Sequence, residues 1–257
     1  MGGSGADPWV KALARVGLVR VARSRVGWLL RRLGLRRPAV PWPGYFKASE
    51  SPLAHLILDG LRGLEIGAAA HNPFGLPTRN VGLSERIDPQ DFQFFRDQQM
   101  QFCGAVAPID IEADAAAIPG PDSSEDFVLH SHVWEHLPDP LGALLEWVRI
   151  VRAGGFLFVI VPKRDAADAD KDRPITPLAE YVRYYEEGAT HATRSAAEGM
   201  PIRGHYNVFS PDTLHAIAEW FNARSEKERL EEVAFLETDD KVGNGHTIVW
   251  RVWKSAG

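Results

Sequence analysis

The chain has 257 residues, 45% of them hydrophobic and 25% charged, a composition that supports one sizeable core and excludes disorder over most of the length. Its formal charge of -5 is unevenly split: residues 1–50 carry ten Lys/Arg against Asp7 and Glu50, and the remaining 19 basic and 32 acidic residues leave a body of net -13. So acidic a body is a poor platform for nucleic acid, and a lone Cys103 excludes an intrachain disulfide or thiolate metal cluster, which makes a reducing, cytoplasmic setting the default.

Taken in chain order, the glycine-rich residues 1–8 are followed by a basic helical pattern over 11–37, with Val10, Leu13, Ala14, Leu18 and Val21 on one stripe. With the proline-rich stretch 38–52 it forms an appendage, 1–52, expected to pack on the acidic body or across a subunit interface of a homodimer. The alternative is weak contact of residues 9–37 with an anionic membrane surface through Trp9, Trp28, Leu29 and Leu30. Arginines interrupt 12–35 throughout, so no secretory signal is read there, and the longest apolar strand pattern, 156–161, is far short of the ~18 residues of a membrane span.

From residue 53 to 257 the rhythm changes. A helix is predicted over 53–61 and strands over 63–67, 80–83, 108–111 and 125–129; a helix over 140–151 leads through Gly154-Gly155 to the strongest strand, 156–161. Residues 165–207 form a polar excursion containing an aromatic helix, 178–187, expected to act as a substrate lid. Ser210 and Pro211 open a helix through Phe221, and alternating strands over 230–236 and 246–253 close the body. Strands alternating with helices predict an α/β, Rossmann-like architecture: a seven-stranded, mostly parallel sheet with helices on both faces, which binds ligands at the carboxyl ends of its strands.

The informative residues fall just past those ends. The first strand leads into Glu65-Ile66-Gly67-Ala68-Ala69-Ala70-His71-Asn72, a small-residue turn that a ligand can approach closely. Ser84 and Glu85 follow the second strand, Glu85 lying twenty residues beyond Glu65. Asp114-Ala115 precedes the fourth strand, and Ser131-His132-Val133-Trp134-Glu135-His136-Leu137-Pro138-Asp139-Pro140 follows it.

In this order the chain resembles the class I S-adenosylmethionine-dependent methyltransferases, in particular their small-molecule, methyltransferase type 11-like group. The likeness is carried by Leu64 to Gly67, by Ala113-Asp114-Ala115 with Ile118-Pro119, by the run from Glu125 to Pro140, by Glu146 to Pro162, and by His205 with Phe209 to Leu214. It implies S-adenosylmethionine as cofactor and a small-molecule acceptor, methylated on an oxygen of a hydroxyl or carboxylate in a secondary metabolite or sugar. It also implies that Glu65 meets the methionine amino group, that Gly67 and Ala69 let the backbone approach, and that Glu85 accepts the ribose hydroxyls. Asp114 and Ala115 would read the adenine, Ser131 would lie beneath the methionine portion, and His71 would touch the methionine carboxylate or cap the turn. His136, His205 and His132 are the candidate bases for an acceptor that arrives protonated.

Other readings stay open at this point. An amine acceptor, or a cofactor-binding partner subunit without catalysis, fits the same motifs. The missing second glycine, here Ala69, argues against a nicotinamide-dependent oxidoreductase. His132-Val133-Trp134-Glu135-His136 matches the His-x-x-Glu-His pattern of an inverted zinc peptidase, though Pro138 and Pro140 would cut its helix. A modest metal role for Asp139 or Asp165 is a further alternative, but no resident metal is assigned.

Overall fold

The computed structural model describes residues 47–168 and 170–255. The basic helices expected over 11–37, with the membrane contact of residues 9–37 and the subunit contact assigned to them, lie outside the described residues. No described helix is long and apolar enough to cross a membrane.

Ser51 opens the first helix, α1 (Pro52–Leu58): its hydroxyl oxygen accepts from Ala54 N at 3.0 Å while its own proton goes to Asp240 Oδ1 at 2.7 Å. Proline at the first helical position needs no N–H partner there. The sheet is built from β1 (Gly63–Ile66), β2 (Thr78–Gly82), β3 (Ile111–Glu112), β4 (Glu125–Ser131), β5 (Val151–Pro162), β6 (Glu228–Leu236) and β7 (Gly245–Lys254), in the spatial order β3-β2-β1-β4-β5-β7-β6. Strands β3 to β5 across this order pair in parallel, whereas β7 runs antiparallel to both β5 and β6.

Both faces of the sheet are covered, and the alternation along the central strands sorts their side chains between two cores. Phe127 and Leu129 of β4 and Phe158 and Ile160 of β5 face α1 and Phe74. Their neighbours Val128, Leu157 and Val159 join Trp134, Trp147, Phe209 and Trp250 on the other side. That second core is held by α3 (Pro140–Ile150), which Asp139 caps at Gly142 N, and by α6 (Pro211–Arg224), which Ser210 caps at Thr213 N. Trp134 is fully buried, stacks on Phe209 and donates from Nε1 to Pro140 O at 2.9 Å.

Two helices went unpredicted. The first, α2 (Pro89–Cys103), lies between β2 and β3; Phe94, Phe95 and Met100 are exposed on it and its one buried residue is Gln99, so no apolar stripe announces it. The second, α5 (His191–Glu198), follows the predicted aromatic helix, here α4 (Leu178–Glu187), and is started by a Thr190/Thr193 capping box rather than by hydrophobic periodicity. Strand β5 also begins five residues earlier than its apolar pattern, because Val151 pairs with Glu125 before the bulge at Glu125/Phe127.

Segment 165–207 is tied firmly to the body. The Arg194 side chain, 2% exposed, donates to Pro138 O at 2.8 Å and Tyr206 O at 3.0 Å, pairs with Glu198 at 2.5 Å, and lies 3.6 Å above the Tyr184 ring. Buried Asn207 donates to Leu137 O at 2.7 Å, and Tyr181 stacks on Phe209.

Candidate active site

A cavity of about 770 Å³ opens at the carboxyl ends of β1, β2, β3 and β4, within the range of small-molecule sites. Its floor is the turn after β1. Gly67 has φ +68, and a Cβ there would meet Val133 Cγ2 at 3.0 Å, so both conformation and contact demand glycine. The turn is pinned from beneath: Ala68 N donates to Asn80 Oδ1 at 3.0 Å, and Ala70 N to Gln99 Oε1 at 2.8 Å, an oxygen that also accepts from Ala107 N. Buried atoms His71 Nδ1 and Asn72 Oδ1 have no hydrogen-bond partner among the described residues.

Of the residues expected to bind a cofactor, Gly67, Ala69 and His71 line one side of the cavity, and Glu85, Asp114 and Ala115 another. Asp114 is oriented by Ala116 N, which donates to its Oδ1 at 3.0 Å. Glu65 and Ser131 do not line it. Glu65 points to the opposite face of β1, where Thr78 Oγ1 donates to it at 3.0 Å; burial raises its carboxyl to about 7 against that bond and the Lys241 charge. Ser131 ends β4 in register with Ile160.

The histidines gather at the other end. His132 and His136 line the cavity, while His205 stands behind His136 with ring centroids 4.6 Å apart. They surround Glu135, which is fully buried. His132 Nδ1 is 3.5 Å and His136 Nε2 is 3.8 Å from Glu135 Oε1, yet neither carboxylate oxygen has a hydrogen bond among the described residues. Burial alone would raise this carboxyl, but His132, His136 and His205 together hold it well below its usual range. Each ring is anchored from outside: His132 Nε2 to Asn244 Oδ1 at 3.1 Å, His136 Nδ1 to Arg203 O at 2.9 Å, and His205 Nδ1 to Asp170 Oδ2 at 2.5 Å. Burial lowers the affinity of His205 for protons, and the Asp170 bond together with the negative charges of Glu135 and Asp170 more than reverses it.

This geometry corrects two alternatives. The His-x-x-Glu-His segment is not a helix: His132 has φ +57 and only Trp134–His136 forms a single 3-10 turn, so the two histidines do not share a helical face as the peptidase pattern requires. Neither Asp139 nor Asp165 reaches the cluster, the first being the cap of α3 and the second an exposed partner of Arg164.

Several residues of the site escaped sequence reasoning. Arg203, with φ +59, lines the cavity and ties α2 to the 165–207 segment through Asp88 at 3.0 Å, Asp91 at 2.6 Å and His191 Nε2 at 2.9 Å. Asn80, Gln99, Asp170 and Asn244 serve as described above; all four are polar residues bonded to partners distant in sequence, which no local pattern reveals. Asn244 sits in the β6–β7 turn, where Asp239 accepts four backbone amides, from Lys241, Val242, Gly243 and Gly245, at 2.6 to 3.1 Å. From the same turn Lys241 reaches Pro73 O, which closes the loop after His71.

The family model described as "Methyltransferase domain" matches residues 93–159, from within α2 to β5, and so includes the Glu135 segment that ends the cavity. The chain has the class I methyltransferase fold. Within it, the cavity at the ends of β1 to β4 lies where open α/β sheets take their ligands. A probable S-adenosylmethionine-dependent methyltransferase of Mycolicibacterium smegmatis is 36% identical over 141 residues, 49% of this chain and 53% of that protein. One of Mycobacterium tuberculosis is 37% identical over 68 residues, 26% of this chain and 25% of its own length. The chain thus spans at most about half the length of these curated relatives. A solved methyltransferase of Thermotoga maritima covers 77% of this chain and 84% of itself at 18% identity, with a TM-score of 0.42.

Proposed function

We propose that this methyltransferase fold binds S-adenosylmethionine and transfers its methyl group to an oxygen of a small-molecule acceptor. The observation that carries the reading is the cavity itself, whose one end is a glycine-and-alanine turn and whose other end is a histidine cluster. The cofactor fits the first end on grounds of this structure. Gly67 leaves the space a Cβ would fill, His71 Nδ1 and Asn72 Oδ1 are buried and unbonded among the described residues, and Glu85 and Asp114 offer carboxylates for a ribose and an adenine amino group.

When bound, the sulfonium supplies an already activated methyl group, so the protein's task is alignment and exclusion of water. Gly67, Ala69 and His71 of the turn would hold the methionine end and Asp114 and Ala115 the adenine end, with Val133 lining the same cavity. A hydroxyl acceptor must lose a proton, and this happens at the histidine end, where His136 keeps Nδ1 bonded to Arg203 O and presents Nε2. Oxygen is preferred to an amine because a hydroxyl always has a proton to give up on methylation, whereas an amine needs the base only to leave its ammonium form.

Calorimetric titration of the cofactor-free protein with S-adenosylmethionine and S-adenosylhomocysteine tests the reading. Binding of both, weakened at least ~10-fold by Asp114→Ala through one lost charged hydrogen bond, is expected. Folded protein that binds neither would overturn it.

A further inference from the structure

We propose that Glu135, His136 and His205 form a mononuclear site for a divalent transition-metal ion of the zinc class, set at the histidine end of the cavity. The ring nitrogens give the first argument. The carbonyl of Arg203 accepts from His136 Nδ1 and the carboxylate of Asp170 accepts from His205 Nδ1, so each neutral imidazole has its lone pair at Nε2. One ring nitrogen from each histidine and one oxygen of Glu135 lie within 4.8 Å of one another. His136 Nε2, the nitrogen left free by the Arg203 bond, stands 3.8 Å from Glu135 Oε1, and the His205 ring joins them in a group of the size that holds one cation.

Glu135 gives the second argument. A carboxylate with no exposure and no hydrogen bond to either oxygen among the described residues is costly unless a positive charge is held against it. The third lies behind the ligands. Asp170, 1% exposed, backs His205, and a main-chain carbonyl backs His136, the outer partners that fix tautomer and ring orientation in metal-ligating histidines. Two imidazoles and one carboxylate make the ligand set of catalytic zinc and of non-haem iron(II), with a coordination position left for water or substrate.

The spacing suits such an ion. Ligand atoms about 2.1 Å from a tetrahedral ion stand about 3.4 Å apart. His136 Nε2 and Glu135 Oε1 are already at 3.8 Å, and side-chain rotations close the remainder. His136 lines the cavity, so the open position faces a bound small molecule. The competing arrangement puts protons on His132 and His205 and binds no ion; His132 Nδ1, 3.5 Å from Glu135, is placed for it.

Metal binding is read without cofactor or acceptor, so its outcome is independent of the methyl-transfer reading; with the ion bound, His136 Nε2 is a ligand and no longer the base for the acceptor's proton. The full chain, stripped with a chelator and dialysed, is titrated with zinc chloride against a chromophoric competitor and with cobalt chloride by visible absorption. One ion per chain and intense cobalt bands of a low-coordinate nitrogen–oxygen site are expected. Asp170→Asn should weaken zinc binding about 10- to 100-fold through the outer partner, and His205→Gln by more than about 100-fold. His71→Gln, outside the cluster, should leave it unchanged. Circular dichroism establishes that each variant is folded; if Glu135→Gln is not, the half-buried His205 decides. Folded protein that binds no stoichiometric zinc, or binds it equally well as His205→Gln, would overturn the proposal.

Discussion

Arg194→Ala should be among the most damaging single substitutions in this fold, although the residue lies in a segment between strands. Its guanidinium is 2% exposed and serves two main-chain carbonyls, Pro138 O and Tyr206 O, the Glu198 carboxylate and the face of Tyr184. Truncation leaves Pro138 O unsatisfied, Tyr206 O with only its bond from Arg173, and Glu198 without its nearest cation. Removing one member of so buried a pair costs about 3–5 kcal/mol. With a urea dependence of about 2 kcal/mol per molar, the unfolding midpoint should fall by about 1.5–2.5 M at unchanged slope. The melting temperature should fall by roughly 10 °C. Arg194→Lys keeps the charge opposite Glu198 but not the fork, and should recover less than half of the loss. Paired urea melts followed by tryptophan fluorescence and far-ultraviolet circular dichroism measure this. A midpoint shift below about 0.5 M for the alanine variant would show that segment 165–207 is not fastened through Arg194, and the reasoning would be wrong.

Three further outcomes are expected. Gly67→Ala places a side chain at φ +68 and against Val133, so stability should drop by about 1–2 kcal/mol and S-adenosylmethionine affinity by at least ~10-fold, read by thermal melts with and without the cofactor. Glu65 holds a proton in the folded chain up to about pH 7 that the unfolded chain releases near 4.5; stability should therefore decline on the order of 1–3 kcal/mol as pH rises through that window, and Glu65→Gln should flatten the decline. Ser51→Ala loses both the cap of α1 and the bond to Asp240, and a cost of about 1–2 kcal/mol in urea unfolding is expected; a neutral substitution would mean that α1 is held by packing alone.

Much of the architecture was legible because the strands around Val128 and Val159 are continuous apolar runs and because Ser210-Pro211 and Asp139-Pro140 announce helix starts in plain chemistry. The cavity-lining positions of Gly67, Asp114 and His136 could be reached the same way, from strand ends. What stayed hidden depends on distance. Gln99 earns its burial only by bonding amides on either side of it in sequence, at Ala70 and Ala107, and Arg203 joins carboxylates more than a hundred residues upstream. Glu65 shows the opposite failure: its place beside the glycine turn was readable, but a strand's alternation decides its face, and the side chain came to lie away from the cavity.

The clamp at Asp239 sets a schedule for the nascent chain. Asn244, which steadies His132, and Lys241, which closes the loop behind His71, both sit in the β6–β7 hairpin, while the groups they serve are translated more than a hundred residues earlier. At about 5–20 residues per second of synthesis, the glycine turn and the histidine loop would wait roughly 5–35 seconds for the strand that finishes them. A nascent chain lacking this hairpin would thus be an incomplete binder, so ligand competence would arise in one step once the hairpin is made and not gradually along the growing polypeptide.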